Sequence, residues 1–323
     1  MKKIRWGIIG CGDVTEVKSG PALYKTPDSE LVAVMRRDAD KARDYAARHN
    51  VPRWYADADA LIADAEVDAV YIATPPDSHA DYTARVARAG KPVYVEKPMA
   101  RTHSECAAMV AACKEAGVPL FVAYYRRMLP AFRKVKSLVE EGTIGAVRYA
   151  AIELCQPASD DFANLPWRLV PEISGGGYFF DLASHQLDFL DYLLGPIAAA
   201  TGHATNQAGH YAAEDAVTAS FAFASGALGT GAWNFAADAR KDRIEIIGDR
   251  GRLCFSTFAF TPVELTTDTG AQTFAIDPPA HVQQPLVETV VDALLGRGEC
   301  PSTGESAART SRVMDLIVHG HAR

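Results

Sequence analysis

The sequence predicts an α/β protein in two domains: an N-terminal doubly wound parallel sheet, then an α+β domain built on a mainly antiparallel sheet. Three observations carry this. Apolar strand-like runs alternate with helical patterns up to about residue 122. Beyond it the alternation gives way to consecutive strand candidates joined by short turns. And 323 residues exceed what one hydrophobic core usually organises, so a division into 1–122 and 123–323 is expected.

The first strand is the apolar run 4–9, which ends in glycines. The second, 31–35, leads into a helical stretch over 39–49. The third, 69–74, is closed by Pro75-Pro76; the fourth and fifth are 92–95 and 120–123. Helical patterns over 80–89 and 102–116 lie between them. The latter opens with Thr102-x-x-Glu105, a capping box, and is stopped by Gly117 and Pro119. Strand–helix alternation of this kind argues for a parallel sheet with helices on both faces. In the second part, 130–141 reads as a helix, with Pro130 tolerated in its first turn, and 147–155 as a strand. A helix over 180–194 is ended by Gly195-Pro196. Strands 216–223 and 227–233 flank Ser225-Gly226, and 244–247 and 252–255 flank the turn 248–251, two hairpin signals. The tail 304–323 reads as a helix packing back on the first domain.

Composition narrows the partners. Hydrophobic content of 48% and charged content of 23% are ordinary for a globular chain. A net charge of -7 argues against nucleic acid, while leaving room for a local basic pocket. No apolar run approaches the roughly 18 residues needed to cross a bilayer. Met1-Lys2-Lys3 is basic, but Asp13 and Glu16 interrupt the apolar stretch that a signal peptide would need. Six scattered cysteines without a CxxC pair read as reduced thiols in a cytoplasmic protein. No His/Cys/Asp cluster has zinc-ligand spacing, so no metal is expected.

Gly7-Ile8-Ile9-Gly10-Cys11-Gly12-Asp13-Val14-Thr15 closes the first strand. Gly10 permits a tight turn, Gly12 lets backbone approach a pyrophosphate, and the amides of Asp13 and Val14 open the following helix. Thr15 stands where the Rossmann dinucleotide fingerprint has a third glycine, so an ordinary strand–helix turn is the plainer alternative. An NAD site usually carries an acid at the end of the second strand. Here Arg36-Arg37-Asp38 follows it. Two guanidinium groups suit a 2′-phosphate, which favours NADP. The alternative is NAD, with Asp38 on the ribose and both arginines solvated.

Glu96-Lys97-Pro98 follows the fourth strand, at the end where open α/β sheets bind ligands, although a solvated Lys is the plainer reading. Asp181, His185 and Asp188 fall at i, i+4 and i+7, which places them on one helix face as a site or as an exposed Asp–His pair. With Ala73-Thr74-Pro75-Pro76, Arg126-Arg127, Trp167-Arg168 and Gly175-Gly176-Gly177, these pieces occur in the order found in the glucose-fructose oxidoreductase and inositol dehydrogenase family, which the chain resembles over nearly its whole length. The stretch 167–185 is similar to the NADP-using, sugar-reducing 1,5-anhydrofructose reductase branch.

The resemblance implies roles. Lys97 lies near the nicotinamide and the reacting oxygen, and Lys97-Pro98 is a candidate cis peptide. Thr74 and Pro75 line the cofactor, and Glu96 sits near its ribose. Asp181 orients the substrate, and His185 exchanges the proton. His79 is read as facing the cofactor cleft or as a partly exposed helix-end residue. Arg127 is read as a cofactor or substrate contact or as a domain-linking ion pair. Trp167 and Arg168 are read as cofactor-side contacts, Arg168 also as a donor to a substrate hydroxyl or carboxylate. Loops 156–170 and 232–241 would shape the pocket.

The activity implied is hydride transfer between NADP(H), or NAD(H), and a sugar, polyol or related cyclic alcohol or ketone, in a homo-oligomer, dimer or tetramer. The alternative is a non-catalytic NAD(P)-binding sensor or transcriptional regulator on the same fold. The presence of Lys97, Asp181 and His185 together favours the enzyme.

Overall fold

The computed structural model describes residues 3–158 and 162–323. Met1 and Lys2, and residues 159–161 of the expected pocket loop 156–170, lie outside the described residues. The chain divides into two compact units. The first comprises residues 1–100, 105–125 and 279–307; the second comprises 101–104, 126–278 and 308–323. The division expected from sequence placed everything beyond 122 in the second unit. The chain instead returns to the first unit at 279–307.

The first unit holds a six-stranded parallel sheet built from β1 (Ile4–Ile9), β2 (Ser29–Met35), β3 (Arg53–Tyr55), β4 (Ala69–Ile72), β5 (Val93–Val95) and β6 (Leu120–Val122). Its order is β3-β2-β1-β4-β5-β6. The order reverses between β1 and β4, so the loops leaving those two strands border the crevice where such sheets bind ligands. Apart from the edge strand β3, the strands are buried on both faces, which explains why they read as continuous apolar runs. The connecting helices are α1 (Asp13–Val17), α2 (Gly20–Lys25), α3 (Ala39–Arg48), α4 (Ala58–Ala63), α5 (His79–Arg88) and α6 (His103–Glu115). Asp38 caps α3 by accepting from Lys41 N at 3.1 Å. Strand β3 and the short helices α2 and α4 carry too few periodic residues to be read from sequence.

The second unit holds an eight-stranded sheet of β7 (Val147–Cys155), β8 (Ile197–Thr205), β9 (Ala216–Phe223), β10 (Leu228–Asn234), β11 (Lys241–Gly248), β12 (Gly251–Phe255), β13 (Val263–Thr267) and β14 (Gly270–Phe274). Its order is β14-β13-β12-β11-β7-β10-β9-β8. β7 and β10 run parallel, and the remaining neighbours are antiparallel. Helices α7 (Pro130–Glu140), α8 (Pro171–Ser174) and α9 (Ser184–Leu194) belong to this unit. Phe132 of α7 meets Phe189 of α9 edge-to-face at 4.7 Å, and Phe179 meets Trp233 of β10 at 5.0 Å. Each such ring removed from water contributes about 1.5–3 kcal/mol, which fixes α9 against the sheet. α10 (Gln284–Leu294) lies in the first unit, and α11 (Gly304–His319) begins there and continues in the second.

The helix expected over 180–194 is two segments. Residues Phe179–Ala183 form a π-helical turn, and α9 starts at Ser184. Among the described residues, no helix is long and apolar enough to cross a membrane.

Candidate active site

In the first unit, the turn after β1 is held by main-chain bonds from Gly10 N and Cys11 N to Met35 O, at 2.9 and 3.1 Å. Gly10 has φ +89°, and a Cβ there would meet Thr74 Cγ2 at 2.6 Å. Its glycine is therefore required by backbone and packing alike. Gly12 differs. Its φ of -168° suits any residue, and a Cβ there would meet nothing closer than Arg36 Nη1 at 3.8 Å. Thr15, in the place of the third glycine, hydrogen-bonds Gly12 through its hydroxyl, accepting from Gly12 N at 2.9 Å. Its carbonyl accepts from Tyr45 Oη at 2.8 Å. The turn is closed by a side chain rather than by a glycine. Asp13 and Val14 form the first turn of α1, a helix of only five residues.

Arg36 reaches back over this turn and donates to Cys11 O at 3.3 Å. Arg37 is exposed. Asp38, the competing ribose ligand, is engaged as the α3 cap and lies 3.5 Å from Lys41 Nζ.

Thr74 and Pro75 are half-buried at the end of β4, and Ser78 Oγ donates to Thr74 Oγ1 at 2.7 Å. His79 is fully buried. Its Nδ1 lies 3.1 Å from both Pro98 O and Met99 O, and its Nε2 lies 2.7 Å from Thr74 O. Burial pushes its pKa down. The structure corrects the cleft reading of His79. With both ring nitrogens against main-chain carbonyls, it ties the β4 loop to the Lys97–Met99 turn and offers nothing to a ligand.

The Lys97-Pro98 bond is cis, and Lys97 is half-buried. Glu96 directly follows β5. Its buried carboxylate accepts from Tyr71 Oη, from Gln283 Nε2 at 2.6 Å and from Lys97 N at 3.2 Å. Gln283 in turn accepts from Tyr94 Oη at 2.9 Å. This buried network holds the strand end that presents Lys97. Gln283 lies almost two hundred residues downstream, with no local signal to mark it.

In the second unit, Asp181 is buried within the π-helical turn and accepts from Arg168 Nε at 3.0 Å. Arg168 is 42% exposed and lies over the Trp167 ring at 4.3 Å. His185, in the first turn of α9, is only 3% exposed. Phe258 meets its ring edge-on at 6.0 Å, and the Arg126 guanidinium covers Phe258 at 4.5 Å. Asp242 fixes that aromatic by accepting from Thr257 N at 2.9 Å, Phe258 N at 2.5 Å and Ala259 N at 3.0 Å. Beside His185, Gln186 accepts from Trp233 Nε1 at 2.7 Å and donates to Thr257 Oγ1 at 3.2 Å. Neither Phe258 nor Asp242 carries a motif that sequence reading would single out.

Asp188 does not join Asp181 and His185 as one acidic face. It forms a buried two-point pair with Arg127, at 2.8 and 2.6 Å, with Thr310 Oγ1 at 3.4 Å. Arg127 is 2% exposed, which argues against its reading as a cofactor contact, and its pair with Asp188 lies inside one unit. Among the described residues, no group of three or more His, Cys, Asp or Glu is placed to hold a metal.

Comparison with known proteins matches residues 4–124 to an oxidoreductase family with an NAD-binding Rossmann fold, and residues 132–254 to the GFO/IDH/MocA C-terminal domain. Oxidoreductase P35 of Formosa agariphila is 42% identical over 320 residues, 98% of each chain. The chain belongs to the GFO/IDH/MocA oxidoreductase family. The 1,5-anhydro-D-fructose reductase of Ensifer adhaerens is 29% identical, covering 93% of this chain and 91% of its own. Among solved structures, the aldose-aldose oxidoreductase of Caulobacter crescentus, complexed with glycerol, superposes with a TM-score of 0.87 at 26% identity, over 98% of this chain and 96% of that one. As a member of this family the chain is an oxidoreductase, with the Rossmann sheet expected from its strand order.

Proposed function

We infer that this oxidoreductase moves a hydride between NADP(H) and a sugar, polyol or related cyclic alcohol or ketone, with His185 as proton donor and acceptor. The observation that carries the reading is the buried Asp181–His185 arrangement, one turn apart at a π-helical turn, a feature frequent at functional sites. Two of the named relatives act on sugars by their names, which supports the substrate class.

The turn after β1 fits a dinucleotide. The protein's own packing gives Gly12 no reason to lack a side chain, whereas a pyrophosphate approaching the backbone does. Gly10, Gly12, Asp13, Val14, Thr74 and Pro75 would hold the cofactor. Arg36, beside the turn, and Arg37 would take its 2′-phosphate. Bound nicotinamide supplies hydride chemistry that no side chain can. The remaining steps fall to the protein. His185 gives a proton to the substrate oxygen in reduction and removes it in oxidation. Lys97 stabilises negative charge developing on that oxygen. Asp181, held by Arg168, orients the substrate hydroxyls. Trp167 and Arg168 flank it.

The two glycines give a test of the cradle. Gly10→Ala should lower the melting temperature, since the left-handed φ alone costs about 1–2 kcal/mol. Gly12→Ala should keep the wild-type melting temperature and weaken dinucleotide binding tenfold or more, about 1.4 kcal/mol. A Gly12→Ala protein that binds dinucleotide as the wild type does would remove the cradle.

The cofactor choice is tested by fluorescence titration with NADPH and NADH. Arg36→Ala should weaken NADPH binding about tenfold more than NADH binding, the worth of one charge-assisted phosphate contact. Equal losses would assign the site to NAD. Turnover of sugars and polyols with the preferred cofactor then separates the enzyme from a non-catalytic sensor.

A further inference from the structure

Next to the Arg168–Asp181 pair, the second unit carries an aromatic shell that the reaction does not use. Tyr178 lies three residues before Asp181, about one helical turn away, and packs with Phe162 against Leu169, Tyr211 and Ala213. Tyr178 also meets Phe235 at 5.6 Å. Phe162 is stacked on the exposed His210 ring, 4.2 Å apart and 11° from parallel, and lies 6.2 Å from Tyr211.

The loop bearing Tyr211 is built rather than loose. Asn206 donates to Tyr211 O and, at 2.9 Å, to Ala213 O. Asp215 accepts from Gln207 N at 2.7 Å and Ala208 N at 2.8 Å. Glu214 accepts from Gly177 N at 2.7 Å, which fastens the loop beside Tyr178. Within this fixed frame Tyr211 is 9% exposed, and its buried hydroxyl makes no hydrogen bond to any described residue. A buried hydroxyl left unpaired costs about 1–3 kcal/mol, so one without a partner among the described residues calls for one, and a ligand hydroxyl would serve.

We propose that Tyr211, Tyr178, Phe162 and His210 form a subsite for a second sugar ring, glycosidically linked to the ring that reacts beside Asp181 and His185. Aromatic faces suit the C–H faces of a pyranose, and a phenol hydroxyl supplies a directed hydrogen bond to a sugar hydroxyl, the apolar-wall-plus-few-polar-groups pattern of a ligand site. Tyr178 precedes the π-helical turn and His185 follows it, seven residues on, so the aromatic shell and the proton-exchanging group lie at opposite ends of that turn. The preferred substrate is then a glycoside or short oligosaccharide rather than a free monosaccharide. This deepens the sugar reading above and rests on it.

The experiment uses the full-length protein loaded with its preferred dinucleotide. Glucose, xylose, galactose and myo-inositol are compared with cellobiose, xylobiose, lactose and galactinol, by turnover and by calorimetric binding. Wild type should favour the glycosylated member of at least one pair about tenfold or more in kcat/KM or affinity. Tyr211→Phe should reduce that ratio about tenfold, the worth of one hydrogen bond of about 1.4 kcal/mol. Its melting temperature should equal or exceed the wild type's, because the deleted hydroxyl has no partner among the described residues. A preference that persists in Tyr211→Phe, no preference in wild type, or a clear fall in melting temperature each overturns the subsite. Turnover of free sugars without a glycoside preference overturns the subsite alone. Binding and turnover of none of the eight compounds overturns the sugar reading and the subsite with it.

Discussion

His185→Ala should lower turnover by about 10²-fold or more while dinucleotide still binds, because proton transfer by a positioned side chain contributes roughly 10²–10⁴ in rate. The residues proposed for the dinucleotide cradle lie in the first unit and His185 in the second. Loss of the imidazole therefore leaves every proposed cradle residue in place. Two controls separate chemistry from packing. The His185 ring rests against Phe258, so its removal also costs stability, read as a shift in melting temperature. His185→Asn keeps a planar polar group of similar size but cannot titrate near neutrality, and should be as inactive as the alanine variant. Imidazole in solution should restore part of the activity of His185→Ala and none of that of His185→Asn. Wild-type turnover in either variant would remove His185 from the proton path.

How far the sequence could be read differs between the two units for a physical reason. Strands β1, β2, β4, β5 and β6 are buried on both faces, so each is legible as an apolar run, and their spacing declares a parallel sheet. The edge strand β3, Arg53-Trp54-Tyr55, is only half-covered and carries no such signature. In the second sheet, β9, β10, β11 and β12 are announced by Ser225-Gly226 and by the glycines at 248 and 251. Strand β8, mostly alanine, threonine and glycine, is nearly featureless, and β13 and β14 are too short and too exposed on one face. Candidates that a short stretch of chain can mark were visible as candidates: Gly10 and Gly12, Lys97, and Asp181 with His185. Residues that act by reaching a distant partner were not. The family resemblance places Glu96 near a ribose, and His79 reads as facing the cleft or as a partly exposed helix-end residue. Their own polar atoms turn to Tyr71 and Gln283 in one case, and to Thr74, Pro98 and Met99 in the other. The helical spacing that grouped Asp188 with His185 was sound as periodicity. It could not show that Arg127, sixty-one residues earlier, holds Asp188 in the interior.

That pair sets up the largest expected loss of stability. Arg127→Met should destabilise the fold by about 3–5 kcal/mol, the usual cost of leaving one member of a buried ion pair without the other. Arg127 and Asp188 are each about 2% exposed at the side chain, so water cannot replace the lost partner. Burial already pushes the Asp188 carboxyl up to about 6 despite the adjacent guanidinium. A raised carboxyl pKa means that the folded state holds a proton that the unfolded chain, with a pKa near about 3.9, has released. The Asp188 contribution therefore favours folding more as pH falls through the window from about 6 to about 4, and disfavours it as pH rises through the same window. Without Arg127 the pKa rises further and the window reaches neutrality. Urea midpoints at pH 5 and pH 7.5 should then show Arg127→Met recovering at the lower pH by more than the wild type does. Adding Asp188→Asn to Arg127→Met should recover stability at pH 7.5, since no bare charge remains inside. A cofactor-contact role for Arg127 requires the reverse pattern: weakened dinucleotide binding at wild-type stability, with no rescue by the second substitution.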